Sequence, residues 1–215
     1  MLSFIENIGL ILQRYGAVFA QGLWNTLWLS FVSVFFGTFL GILVALGKLS
    51  RHKLLNGVVS TYIEIIRGTP ILLQLYFFWL ALPNILPSIS DTTCILSALV
   101  VNASAYIAEV IRAGIQAVDK GQMEAARSCG MNGSQAMRYI IMPQAVKNIL
   151  PAIGNEFVTM VKETSIIQDL GISDLMYNNG IVITATYNPL PCYYISALIY
   201  LTLNIFEGRM KKSER

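Results

Sequence analysis

The sequence predicts an all-α integral membrane protein with five transmembrane helices, its N-terminus outside and its C-terminus in the cytoplasm. Three observations carry this reading. Of 215 residues, 55% are hydrophobic and only 13% are charged, against about 25% charged in a soluble domain. Residues 15–47, 68–90, 92–108 and 175–206 contain no charged side chain, and a helix crossing the hydrocarbon needs about 20 mostly apolar residues. The basic residues are grouped rather than spread, and Lys and Arg mark the cytoplasmic side.

The groups fix the number of crossings. They are Lys48, Arg51, Lys53 and Arg67; then Arg112, Lys120, Arg127, Arg138 and Lys147; then Arg209, Lys211, Lys212 and Arg215. Groups on one side must be separated by an even number of spans. Two apolar runs separate the first pair. The last pair therefore needs two as well, which makes 149–167 a span despite Glu156, Lys162 and Glu163. The expected helices are 22–47, 60–82, 92–112, 142–167 and 189–207, in a single transmembrane domain. The loops at 83–91 and 168–188 then face out, and neither contains Lys or Arg.

In the first helix, Gly37 and Gly41 form a GxxxG that permits close helix approach, although two lipid-facing glycines would read the same. In the second, Pro70 removes a backbone hydrogen bond and favours a kink, Pro83 and Pro87 mark the end, and Tyr76-Phe77-Phe78-Trp79 suits the outer interface. The third carries Asn102, read either as an interhelical hydrogen bond or as part of the pathway. Glu64 and Arg67 read as a solvated pair. Pro151 should kink the fourth helix, and Asn188-Pro189 suits the start of the fifth. The first twenty residues lack a basic leader and a small-residue cleavage pattern, so the chain is expected to be held by its own spans.

Several function classes recede. A net charge of +3 is too small to suggest nucleic-acid binding. Cys94, Cys129 and Cys192 are widely spaced and His52 is the only histidine, so no disulfide framework or metal site is expected. Gly41, Gly47 and Lys48 fall short of a phosphate loop, because five residues separate the glycines and Leu49 follows the lysine. Asp91, Asp119, Asp169 and Asp174 all fall outside the expected spans, which disfavours an intramembrane protease. No internal repeat is visible, against an inverted-repeat transporter.

The most informative segment is the second cytoplasmic loop, about 113–141. Gly121–Gly130 reads as a short helix ended by glycine, and Ser134 can cap a second running towards Pro143. Two short helices at an angle make a protruding knob. Ala125 and Ala126 would give it a small, smooth side, with Glu124 and Arg127 at the rim. Glu124-Ala125-Ala126, Gly130 and Ile140-Ile141-Met142-Pro143 resemble the EAA loop of ABC importer permeases: EAA, three residues, G, nine residues, I-x-L-P. Met142 in place of leucine is the one departure. Ile66-Arg67-Gly68-Thr69-Pro70, Ala105-Tyr106-Ile107-Ala108-Glu109 and Lys162-Glu163-Thr164-Ser165 are similar to segments of the polar amino-acid branch, which carries histidine, glutamine, glutamate, arginine and opines.

The resemblance implies a type I ABC importer permease fold in a bacterial inner (plasma) membrane. It implies that Glu124, Ala125, Ala126, Arg127 and Gly130 couple the chain to a cytosolic ABC ATPase dimer. The other implied partners are a second permease subunit, identical or homologous, and an extracellular or periplasmic amino-acid-binding protein. The chain itself would be no enzyme and hold no cofactor; ATP and Mg would sit on the partner. Ionisable residues within a span mark function by default. Glu156, Lys162 and Glu163 are therefore candidates, with Asn102, for the translocation pathway; a structural ion pair or a dimer contact is the alternative. Two carboxylates against one lysine favour a basic or neutral polar amino acid over glutamate. The rival reading is a secondary transporter or channel without an ATPase, which leaves the knob without a role.

Overall fold

The computed structural model describes residues 2–50 and 52–213. Arg51 and Arg215, counted above among the basic groups, lie outside the described residues. Every regular element among the described residues is helical: α1 (Leu2–Lys48), α2 (Lys53–Gly68), α3 (Ile71–Ile85), α4 (Asp91–Gln116), α5 (Lys120–Ser128), α6 (Gly133–Ala136), α7 (Met142–Glu163), α8 (Leu175–Thr186) and α9 (Pro189–Ser213). A π-helical turn, Met137–Ile141, precedes α7, and a 3₁₀ segment, Thr164–Leu170, follows it.

By length and composition, α1 and α4 can each cross a bilayer, and α2 with α3 can do so taken together. At 1.5 Å per residue the 47 residues of α1 extend about 70 Å, more than twice a hydrocarbon core. The expected start at residue 22 is corrected to Leu2. Nothing between the two positions breaks a helix, and bilayer thickness alone had set the shorter bound. Trp24, Phe31, Phe35, Phe39, Leu43 and Leu46 form an exposed apolar stripe along α1 at helical spacing.

The helix expected over 60–82 is two helices. Thr69 is extended (φ −112°, ψ 144°), the conformation that a following proline imposes on its neighbour, and Pro70 separates α2 from α3 instead of kinking one rod. Pro83 lies inside α3, which continues to Ile85. The fourth expected helix is α-helical only to Glu163 and then tightens to 3₁₀ until Gly171, whose φ is 73°. The segment 168–188, expected as an outer loop, contains α8.

The chain forms two compact units. One is built from residues up to Val32, Ile71–Ala98 and the chain from Val158; the other from Ser33–Pro70 and Leu99–Phe157. In the first unit, Ile11 and Phe19 of α1 pack with Leu175 and Val182 of α8 and Cys192 and Ile195 of α9. Thr26 Oγ1 accepts the Leu175 N–H at 3.0 Å, and Asn178 Nδ2 donates to the Val18 carbonyl at 2.8 Å. Asp174 is fully buried and caps α8, its Oδ1 accepting the Tyr177 N–H at 2.7 Å. Its Oδ2 accepts no hydrogen bond among the described residues. Burial pushes this carboxyl up to about 6.

In the second unit the two α1 glycines face α4. A Cβ on Gly37 would stand 2.6 Å from the Ala103 Cβ, and one on Gly41 would stand 3.0 Å from the Ser104 carbonyl and the Ile107 side chain. The GxxxG is therefore a packing contact, not a lipid-facing pair. Tyr62 of α2 reaches the Val101 carbonyl (3.1 Å) and Ser104 Oγ (2.7 Å) on α4. Lys48 Nζ donates to Ser60 Oγ at 2.6 Å, and Asn56 Nδ2 donates to the Lys48 carbonyl.

Candidate coupling and translocation site

The knob lies wholly in the second unit. Asp119 starts α5 by accepting the Gly121 N–H at 2.7 Å, which satisfies one orphan donor of the first turn. The helix ends on Gly130 at φ 87°. There Met131 N–H bonds to the Ala126 carbonyl (3.1 Å) and Gly130 N–H to the Arg127 carbonyl (3.0 Å), the paired bonds of a Schellman stop. A non-glycine residue at this φ is strained by its Cβ.

The second knob helix is capped by Asn132, not Ser134. Asn132 Oδ1 accepts the Gln135 N–H, and Gln135 Oε1 accepts the Asn132 N–H, both at 2.9 Å. That reciprocal box satisfies two donors where Ser134, already inside the helix, would satisfy fewer. This helix does not stop at Pro143. Met142 N–H bonds to the Met137 carbonyl, five residues back; the widened turn makes room for a proline ring that would otherwise strike the carbonyl four residues earlier. The chain thus runs from the knob into α7 through continuous helical turns.

Glu124, Ala125, Arg127 and Gly130 are exposed, whereas Ala126 is buried, with Ala136 and Ile141 also buried in the adjoining turns. The two alanines do not form one exposed side as expected: neighbouring helical residues point about 100° apart, and Ala126 turns inward while Ala125 stays outside. Beside them lies an open groove lined by Met123, Arg127, Gly133, Met137, Arg138 and Met142. Unbranched methionines make adaptable apolar surface, and the two arginines give the groove positive rims.

The candidate pathway residues divide between the units. Asn102 (3% exposed) and half-buried Glu156 belong to the second, and Arg67 acts electrostatically on Glu156. Lys162, exposed, and Glu163, half-buried, belong to the first. Sequence reasoning missed a charged cluster that joins α2 to α4. Arg67 does not pair with Glu64. Its NH1 stands 3.9 Å from Glu109 Oε2, and its guanidinium lies 5.2 Å over the Tyr106 ring. The same oxygen accepts Arg112 Nε (2.9 Å) and NH2 (2.7 Å), and Arg112 NH1 donates to Gln116 Oε1 (2.6 Å). The Glu109–Arg112 step of three residues signals such a pair on a helix; the reach from α2 to α4 has no local signal.

Among the described residues every element is helical, with apolar helices long enough to cross a membrane and a capped two-helix knob opening into α7, the architecture of a membrane protein. Residues 37–210 match the family described as binding-protein-dependent transport system inner membrane component, and the chain belongs to that family. It is 38% identical to the "Probable glutamine ABC transporter permease protein GlnM" of Bacillus subtilis (strain 168), over 96% of this chain and 99% of that one. It is 40% identical to the "Arginine transport system permease protein ArtQ" of the same organism, over 85% and 84%. Among solved structures, an amino acid ABC transporter chain crystallised with histidines is 46% identical, with a TM-score of 0.89 over 94% of each chain. A chain of the MetNI methionine ABC transporter, 20% identical with a TM-score of 0.72, shares the fold. The chain is thus the permease subunit of an ABC importer, with the type I importer fold, and ATP hydrolysis belongs to a separate subunit.

Proposed function

We propose that this permease moves a polar amino acid, basic or neutral polar, inward across a bacterial inner membrane. It crosses five times, with the broken α2–α3 pair as one span and α7 and α9 as the last two. A second permease subunit completes the pathway. A binding protein delivers cargo outside, and a cytosolic ATPase dimer holding ATP and Mg engages α5 through Glu124, Ala125, Arg127 and Gly130. The observation that supports coupling most is the run of helical turns from the capped knob through the π turn into α7. A push on α5 passes through the short turn fixed by the Gly130 stop and the Asn132 cap, and from α6 onward an unbroken run of helical turns carries it to the helix that holds Glu156.

Glu156, with Asn102 from α4, lines the pathway in this reading, and Lys162 and Glu163 extend it along α7. A cationic side chain gains from Glu156 in a low-dielectric path, and an anionic one is opposed. The experiment is uptake of radiolabelled arginine, glutamine and glutamate by the permease co-reconstituted with its ATPase and binding protein. Arginine or glutamine should enter in preference to glutamate. Glu156→Gln should weaken arginine uptake more than glutamine uptake. Equal effects on both would place Glu156 in a structural role, and uptake without the ATPase would favour the channel reading.

A further inference from the structure

The second unit holds an open pocket of about 730 Å³ that neither the coupling knob nor the α7 carboxylates account for. Its lining carries both signs of charge: Lys48, Arg67 and Arg112 against Glu64 and Glu109. These groups do not neutralise one another. Arg112 gives two of its three bonds to Glu109 Oε2, which leaves Arg67 at 3.9 Å from that oxygen with 43% of its side chain exposed. Among the described residues, no carboxylate lies within 4 Å of Lys48 and no cation within 4 Å of Glu64. The pocket therefore presents one cation, Lys48, and one carboxylate, Glu64, without an ion pair among the described residues, and Arg67 held only by the long contact to Glu109, beside the aromatic wall of Tyr106.

This pattern discriminates between ligands. A phosphate or any simple anion would meet Arg67 and Lys48 but would also face Glu64 and Glu109. A simple cation would meet the reverse. A zwitterion satisfies both sets, and the volume leaves room for a side chain and water. We propose that the pocket is a second amino-acid site, whose lining includes neither Glu156 nor Asn102. The α-carboxylate binds Arg67 and Lys48, and the ammonium binds Glu64. The proposal rests on the amino-acid importer reading above, which places this end of α2 and α4 on the cytoplasmic side, where released cargo accumulates. The site also has a route to coupling. Gln116, bonded by Arg112 at 2.6 Å, ends α4 three residues before Asp119, the cap of α5. A carboxylate drawn onto Arg67 competes with Glu109 for it, and Glu109 also holds the Arg112 that bonds Gln116, so bound product restrains the ATPase.

The test is equilibrium binding of radiolabelled L-arginine and L-glutamine to the permease–ATPase complex in nanodiscs, with no binding protein present. Wild type should take up two molecules of the transported amino acid per permease chain. Arg67→Gln and Glu64→Gln should each retain one and weaken the other about tenfold, the loss expected for one charged hydrogen bond. Arg67→Lys, which keeps the charge, should retain both, which separates loss of the site from misfolding. The N-acetyl derivative and the carboxamide of the amino acid should each compete about tenfold more weakly than the free form. Amino acid supplied at the ATPase face should slow hydrolysis in wild type and not in Arg67→Gln. Glycerol 3-phosphate or inorganic phosphate competing as well as the amino acid would overturn the proposal in favour of a lipid-headgroup or free-anion site. A single binding site unchanged by Arg67→Gln would overturn it too while leaving the importer reading intact. Failure of wild type both to bind and to transport any amino acid would sink the importer reading itself.

Discussion

The backbone N–H of Met131 reaches back 3.1 Å to the carbonyl of Ala126, across a glycine at φ 87°. That bond fixes where α5 ends and how the chain turns towards Asn132. It also ties the end of α5 to the one alanine of the EAA triplet that is buried. Gly130→Ala should cost about 1 kcal/mol or slightly more through the left-handed strain alone. Because no atom lies within 4 Å of a Cβ built there, the cost is conformational rather than steric. The expected readout is loss of coupled ATP hydrolysis with little loss of protein in the membrane. Normal coupling in Gly130→Val, the more strained variant, would contradict a fixed knob.

The packing of α1 on α4 gives a second prediction. Gly37→Leu drives a branched side chain into Ala103, where even a Cβ would stand at 2.6 Å. Overpacking of this kind costs about 1–3 kcal/mol. Thermal unfolding of the purified permease should show the loss, and Gly9→Leu, where nothing lies within 4 Å, should not.

Asp174 predicts a pH dependence of stability. Its folded-state carboxyl, pushed up to about 6, holds a proton that the unfolded chain releases near pH 4. Stability is therefore highest below about pH 4, falls as the pH rises through 6, and is flat above; the full span is about 3 kcal/mol. Asp174→Asn keeps a competent cap and removes the buried charge. Its melting temperature should vary less than wild type between about pH 4 and 7 and exceed it at pH 7. A wild-type profile that rises with pH over this range would contradict the burial argument.

Topology can be read from single cysteines. Cys94 and Cys192 are buried and Cys129, on the knob, is exposed. Ser88→Cys and Tyr187→Cys, in a Cys129→Ser background, should react with an impermeant thiol reagent applied outside intact cells. Natural Cys129 should react only after permeabilisation. Outside labelling of Cys129 would overturn the five-span arrangement.

What the residues announced in advance was the chemistry that repeats or sits at fixed spacing. Charge-free runs, grouped arginines and the Glu124–Gly130–Pro143 spacing are local, and Gly130 could be read as a left-handed stop because few other residues end a helix so. Helix ends set by tertiary contact were less legible. α1 runs back to Leu2 because Ile11 and Phe19 bury against α8 and α9, and α8 itself lay hidden in an apolar run shared with α9. The Asp119 and Asn132 caps were visible in principle, each followed three residues later by a glutamine. The Arg67–Glu109 contact joins residues 42 positions apart, and nothing in either neighbourhood specifies the partner.

In the proposed function, α5 is the surface through which this permease engages an ATPase. The most direct test is to extract the tagged chain from its native membrane in mild detergent and identify what accompanies it. Wild type should bring an ABC ATPase subunit, and Gly130→Asp, present at equal abundance, should bring little or none. Equal recovery of the ATPase with Gly130→Asp would contradict the account, and so would an ATPase that cross-links to positions other than Ala125→Cys and its neighbours on α5.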